Sequence, residues 1–256
     1  MGARPPGPSA AVFEPRTYRS LVTGDRLVSF QVAVRETDLM VRASRDERDR
    51  AHRMVIEERG CLEAYIREHP GFLSTLAPWP DRGPAPAVVR EMIAAAAAAG
   101  VGPMAAVAGA IAARVGSGLL ETCEEVIVEN GGDIFLKTAA PATVALFAGS
   151  SPLSLQIGVA VDGGGRPMAV CTSSGTVGHS LSFGKADAVC VVSRSCALAD
   201  AAATAVGNVV QSPGDLRRAI ACGRRIPGVE GMVIVAGDQA AFWGRIDVVR
   251  LASKKG

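Results

Sequence analysis

Val126–Lys137 reads VIVENGGDIFLK, two apolar runs that close on Asn130-Gly131-Gly132-Asp133. Asn-Gly between such runs is a strong short-range signal for a β-hairpin, because both residues accept the positive φ that a two-residue turn demands. The stretch predicts strand, tight turn, strand near the middle of the 256-residue chain. A turn alone does not require the second glycine or Asp133, so their reading depends on what surrounds them.

After this hairpin, short apolar segments separated by turns predict strands. Together with the hairpin's own, they lie near 125–129, 133–138, 143–148, 155–161, 167–172 and 187–193. DGGGRP at 162–167 reads as a hairpin turn, since no helix follows it to make a phosphate loop. Helices are predicted near 196–208 and 213–223, and final strands near 231–236 and 246–251. Before the hairpin, 18–22, 27–35 and 37–43 read as strands, with VSFQVAV alternating as a half-buried strand should. A charged amphipathic helix runs from Asp46 to about Glu68 and ends at Pro70. APWPDRGPAPA is a Pro-rich connector to two Ala-rich helices near 86–99 and 103–115, broken at Gly100–Pro103. Helices and strands segregate rather than alternate, which gives the class α+β. The expected organisation is a Pro-rich tail at 1–15 and one domain over 16–256, with antiparallel or mixed sheets and packed helices.

Composition narrows the function. Hydrophobic residues at 48% and charged residues at 20% suit a chain with a large core. Lys+Arg 27 against Asp+Glu 25 leaves no basic field, and 4% aromatics offer few platforms for bases, so no nucleic-acid partner is expected. None of the six cysteines forms a CxxC pair, which argues against structural zinc. His52, His69 and His179 are too dispersed for a His-based metal site. The uncharged run 92–113 is mostly Ala and Gly around Pro103, a poor lipid partner, so no membrane span is expected. The N-terminal residues lack the apolar core of a signal peptide, and the expected location is cytoplasmic.

Three stretches can carry chemistry. In SCALADAAATAVGN (195–208), a helix sets Asp200 and Thr204 one turn apart on one face. A carboxylate and a hydroxyl at that spacing are hard oxygen ligands suited to Mg²⁺ or Ca²⁺; the alternative is an ordinary helix with Asp200 capping or facing solvent. In CTSSGTVGHSLSFGKADAVCVV (171–192), the hydroxyls of Ser173, Ser174 and Thr176 and the glycine amides suit an anion, and His179 suits an acid or base. A polar surface loop is the competing reading. No G-x-S-x-G elbow occurs in this loop, which removes the Ser-hydrolase reading. Cys196 falls in the first turn of the helix, where a helix terminus favours thiolate; burial is the alternative.

Taken together and in order, VENGGDIFLK, SSGTVGHSLSFGKADAVCVV and ADAAATAVGN resemble the ApbE-like superfamily, more closely its UPF0280 branch. That branch also shows ETDLMVRA (36–43), YIREHPGFLSTLAP (65–78) and GVGPMAAVAGAIA (100–112), so the resemblance spans roughly residues 17–250. The superfamily's flavin transferases are Mg²⁺-dependent; they bind FAD, cleave its pyrophosphate and attach FMN to a Thr or Ser of a target protein. On this chain the resemblance implies Asp200 and Thr204 as metal ligands. It implies Asn130, Gly131, Gly132 and Asp133 as a turn at the ligand pocket, with Ser173, Ser174 and Thr176 as further ligand contacts. His179 and Cys196 are the catalytic candidates. The transferases also carry an Asp-Leu-Gly stretch and a Lys-Gly pair before the turn, and AVAGAIAARVG (106–116) has neither. Their His-x-x-Asp-Pro stretch is shortened here to GHSLSFGKADAV.

Three functions follow as expectations. One is an ApbE-like binder or enzyme for a flavin or phosphorylated small molecule with Mg²⁺. Another is a cysteine-dependent sulfur-handling protein using Cys196. The third is a non-catalytic accessory protein that kept the fold, with a protein partner. A homo-oligomer is compatible with all three.

Overall fold

The structure is a computed structural model that describes residues 27–80, 83–175 and 183–251. The tail read at 1–15 and the strand read at 18–22 lie outside those residues. The described chain starts with the hairpin β1 (Val28–Val34) and β2 (Thr37–Ala43). Four helices follow: α1 (Arg48–Glu68), the one-turn α2 (Gly71–Ser74), α3 (Ala87–Ala99) and α4 (Val107–Leu119). Next come β3 (Val126–Asn130), β4 (Asp133–Lys137), β5 (Ala142–Ala145), β6 (Ile157–Val161), β7 (Met168–Ser173) and β8 (Ala188–Ser193). The chain ends with α5 (Cys196–Val209), α6 (Leu216–Gly223), β9 (Val229–Ala236), β10 (Gln239–Gly244) and β11 (Asp247–Arg250).

An eight-stranded sheet, β1-β2-β3-β4-β7-β8-β9-β10, is antiparallel throughout. Helices cover one of its faces, and the small antiparallel sheet β11-β6-β5 covers the other. Burial on both sides explains the sequence of the central strands. β3 and β8 are buried at every position, and Val126–Val128 and Ala188–Val192 read as continuous apolar runs, whereas the edge strand β1 keeps the alternation of a strand with one wet face.

Strand parity sorts the side chains between two cores. Along β4, Phe135 joins the helical core while Ile134 and Leu136 join the core under the small sheet. Asp133 therefore shares the helical side with Phe135, and its cross-strand partner Cys171 lies in that same core. Glu129 has the parity of Ile127 and belongs to the opposite face.

The helical layer depends on small residues. α3 ends at Gly100 in the left-handed conformation (φ 74°), and a 3-10 turn over Pro103–Ala106 starts the next helix at a bend of 105°. No single helix among the described residues is long and apolar enough to cross a membrane. A Cβ built on Gly116 would lie 2.1 Å from the Phe135 ring, so α4 seats against β4 only because that side chain is missing. Leu62, Tyr65, Phe72, Val88 and Met92, from both sides of the Pro-rich connector, share one core.

Two details differ from the sequence reading. DGGGRP is not a hairpin turn: β6 lies in the small sheet and β7 in the large one, so the segment crosses between layers. Asp162 accepts the Gly164 N–H at 2.8 Å, and Gly164 and Gly165 take positive φ to make that crossing. The structure also adds β10, which pairs with β9 across a Gly237-Asp238 turn. Its sequence, QAAFWG, is too Ala-rich to declare itself a strand.

Candidate functional site

The first turn of α4 brings the central hairpin and α5 together. The turn between β3 and β4 holds Gly131 at φ 68° and Gly132 at φ 114°, so both glycines are required by the backbone. Asn130 donates its side-chain N–H to the Ala108 carbonyl at 3.1 Å, and the Gly132 carbonyl accepts the Thr172 N–H at 3.2 Å. The turn is thus fixed to α4 on one side and β7 on the other.

α5 starts at an N-cap, Ser195, whose hydroxyl accepts the Leu198 N–H. One turn in, the Asp200 carboxylate accepts the Gly109 N–H at 2.9 Å, so α5 caps the N-terminus of α4 from outside. Glycine is needed at 109: a Cβ there would lie 2.4 Å from the Cys196 carbonyl oxygen and 2.9 Å from Asp200 Cβ. Thr204 follows one turn beyond Asp200 and Asn208 one turn beyond that. Asp200, Thr204 and Asn208 are all half-buried on a helix whose intervening residues 201–203 and 205–207 are buried.

The carboxylates carry the electrostatic signature of the site. Burial pushes Asp133 up to about 7; the Cys171 thiol and Thr172 N–H oppose that by hydrogen bonding, and the Glu129 charge adds to it. Asp200 is raised well above the usual carboxylate range by burial and by the Asp133 charge, against the pull of the Gly109 and Ala108 N–H groups. Two desolvated acids, Asp200 raised further by the Asp133 charge and Asp133 by that of Glu129, would be relieved by a cation. Among the described residues no group of three or more His, Cys, Asp or Glu could hold one. The oxygen groups that the sequence reading names here, the Asp200 and Asp133 carboxylates and the Thr204 hydroxyl, make by themselves an incomplete set for a metal. It fits Mg²⁺, which takes one or two carboxylates and completes its shell with water and phosphate oxygen, and it does not fit zinc.

Behind the carboxylates sit two thiols. Cys171 Sγ is 3.6 Å from Cys196 Sγ and 3.4 Å from the Cys196 carbonyl, and both side chains are buried. A helix terminus alone predicts a lowered Cys196 pKa. The structure gives the opposite direction: the hydrogen bond with Cys171 lowers it, but burial and the Asp133 and Asp200 charges raise it further.

Ser173 and Ser174 are half-buried where β7 ends, and Ser173 has the parity of Cys171 on the helical side. Thr176 and His179 lie outside the described residues. Just beyond, Gly175, Gly184 and Gly207 stack backbone on backbone: a Cβ on Gly184 would lie 1.8 Å from the Gly207 carbonyl oxygen. Cys171, Gly109 and Asn208 escape a residue-by-residue reading of the sequence. Asn208 had a usable signal, its spacing of four from Thr204. A cavity of about 600 Å³ lies apart from the carboxylates, at the C-terminal end of α5, lined by Ala97, Gly100, Val209, Arg218, Cys222 and Ile226.

Residues 19–226 match the family described as AbpE bacteria. A UPF0280 protein of Methanococcus aeolicus is 38% identical over 226 residues, 86% of this chain and 91% of that one. One from Methanocella arvoryzae is 42% identical over 214 residues, 83% and 87% of the two chains. Among solved structures, the apo form of the flavinyl transferase ApbE from Pseudomonas stutzeri is similar in fold, with TM-score 0.58 and 16% identity, over 85% of this chain and 94% of that one.

Proposed function

The chain belongs to the AbpE bacteria family, with UPF0280 proteins as its relatives, and from that premise we propose that it binds a phosphorylated flavin, FMN or FAD, together with Mg²⁺. One observation carries the reading. The first turn of α4 holds Asn130 by its carbonyl and Asp200 by its N–H, so a glycine turn and two desolvated carboxylates converge. In this proposal Asp200 and Thr204 hold the cation, Asp133 faces it, and Ser173 and Ser174 bind phosphate oxygen. Bound Mg²⁺ supplies neutralisation of phosphate charge. The residues themselves exclude water and orient the phosphate, since each carboxylate is fixed by a hydrogen bond from a neighbouring element. A small-molecule ligand and a cytoplasmic location complete the proposal.

Pyrophosphate cleavage is the transferase-like extension. A second reading, a binder without chemistry, is favoured by α4. Its single charged residue, Arg114, bonds Glu58 at 2.9 Å and contacts Glu91, both on neighbouring helices, and so faces away from the turn. The experiment is titration of the purified chain with FAD, FMN and ADP, with and without Mg²⁺, while AMP release from FAD is followed. Mg²⁺-dependent flavin binding that Asp200→Ala abolishes supports the site. An Asp200→Ala variant that binds FAD and Mg²⁺ like the parent removes the metal assignment. Binding without AMP release selects the second reading.

A further inference from the structure

Phe183 is 59% exposed, although its backbone is held on both sides. Its N–H donates to the Asn208 side-chain oxygen at 2.9 Å, and its carbonyl accepts from the Gln211 side-chain nitrogen at 2.8 Å. The following residues reinforce this placement. Gly184 packs against the Gly207 carbonyl without room for a Cβ, and the Lys185 N–H donates to the Val210 carbonyl at 2.7 Å. Two side-chain amides and a backbone seam therefore fix the main chain of a residue whose phenyl group stands in water at the end of α5. Fixing an apolar ring there stabilises nothing by burial. The only other phenylalanine exposed to the same degree among the described residues, Phe242, sits on the edge strand β10.

Asn208 supplies the link to the site. It continues the half-buried line Asp200, Thr204, Asn208, so the clamp stands two helical turns from the Asp200 carboxylate, about 12 Å along the axis. That spacing suits a ligand with a planar ring at one end, a polyhydroxy linker and a phosphate at the other. We propose that Phe183 is the stacking contact for the flavin ring, and that Asn208 and Gln211 are positioning residues that hold it there. The assignment rests on the flavin reading above and adds to it the residue that selects an aromatic ring over a bare phosphate. A ring stacked on an aromatic side chain is worth about tenfold or more in affinity.

The test uses the full chain and three probes: FMN, with ring and phosphate; riboflavin, with the ring alone; and magnesium pyrophosphate, with the phosphates alone. Phe183→Ala should weaken FMN and riboflavin by the same factor, about tenfold, and leave pyrophosphate unchanged. Phe183→Trp should restore both flavins, and Phe183→Leu should not, because the contact needs a π-face rather than bulk. Thermal melting should not separate the variants, since the side chain is exposed. Unchanged FMN affinity in Phe183→Ala, an equal loss for pyrophosphate, or full affinity in Phe183→Leu overturns the stacking assignment and leaves the flavin reading standing. A parent that binds pyrophosphate but neither flavin overturns both.

Discussion

The two faces of the large sheet are built from the same strands and solve different problems. Under the small sheet, Ile134, Leu136, Leu146, Val159, Val170, Val192 and Val233 make an aliphatic core. On the helical face the same strands present Asn130, Asp133, Cys171 and Ser173 to helices of alanine and glycine. One face buries volume, whereas the other buries charge and leaves little side chain between backbones. The difference separates stability from function along a single strand, residue by residue: in β4, Ile134 serves one and Asp133 the other. The largest effect expected from this division is at Leu146, 2% exposed in the aliphatic core. Leu146→Ala should cost about 2–5 kcal/mol of unfolding free energy by denaturant titration. Its Mg²⁺-dependent FMN affinity, measured where the variant is folded, should match the parent. A large affinity change with little loss of stability would erase the division between the faces.

Gly109→Ala probes the other face and should affect both properties. Alanine favours a helix interior over glycine by about 1 kcal/mol, so propensity alone predicts a gain. The new Cβ would stand 2.4 Å from the Cys196 carbonyl, and a backbone atom of a packed helix cannot swing aside. Overpacking of that kind costs about 1–3 kcal/mol, so the net result should be a loss of up to about 2 kcal/mol. The strain also pushes α5 off the α4 terminus and lengthens the Gly109 to Asp200 hydrogen bond, which should weaken FMN binding. Stability and affinity falling together, seen by melting and titration on the same sample, is the expected pattern. A stabilised variant with parental affinity would show that the helices do not touch as closely as the geometry requires.

How much of this was legible in the sequence divides along the same line. Local signals were sufficient for the hairpin at Asn130–Asp133, for both Ala-rich helices and for the α+β class, because turn chemistry and apolar runs act over few residues. ADAAATA announced Asp200 and Thr204 as a helical pair for the same reason. What could not be read was long-range. Nothing near Gly109 says that it lies against Cys196, and nothing near Cys171 says that its partners are Asp133 and Cys196. DGGGRP looked like a hairpin because turn residues record the bend and not the sheet to which the next strand belongs. Cys196 had two readings, thiolate at a helix terminus or plain burial, and the sequence could not choose between them: the terminus is local, but the burial and the two carboxylates that outweigh it come from elsewhere in the fold.

The smallest expected effect, and the one most specific to buried charge, is the pH dependence of Asp133. Its carboxyl lies near 4 in an unfolded chain and is raised to about 7 when folded, by burial first. A group whose folded pKa is raised binds its proton more tightly in the folded state. Its contribution to stability is therefore complete below about pH 4 and is lost as pH rises through about 7. In Mg²⁺-free buffer the parent should be more stable at pH 5 than at pH 8, by on the order of 1 kcal/mol or more. Asp200 is raised in the same direction, so the two acids titrate as a pair and both add to the slope. Asp133→Asn keeps the shape, removes one charge and relieves Asp200 of its neighbour. It should flatten the slope and be more stable than the parent at pH 8, with the gap closing toward pH 4. Mg²⁺ at pH 8 should stabilise the parent more than the variant, because the cation replaces the missing proton only where both carboxylates remain. Leu146 carries no charge and packs in the aliphatic core away from Asp133 and Asp200, so Leu146→Ala should keep the parental slope at a lower stability. Parallel pH profiles for the parent and Asp133→Asn would mean that the helical face does not hold a desolvated acid, and the contrast between the two faces would then be one of side-chain size alone.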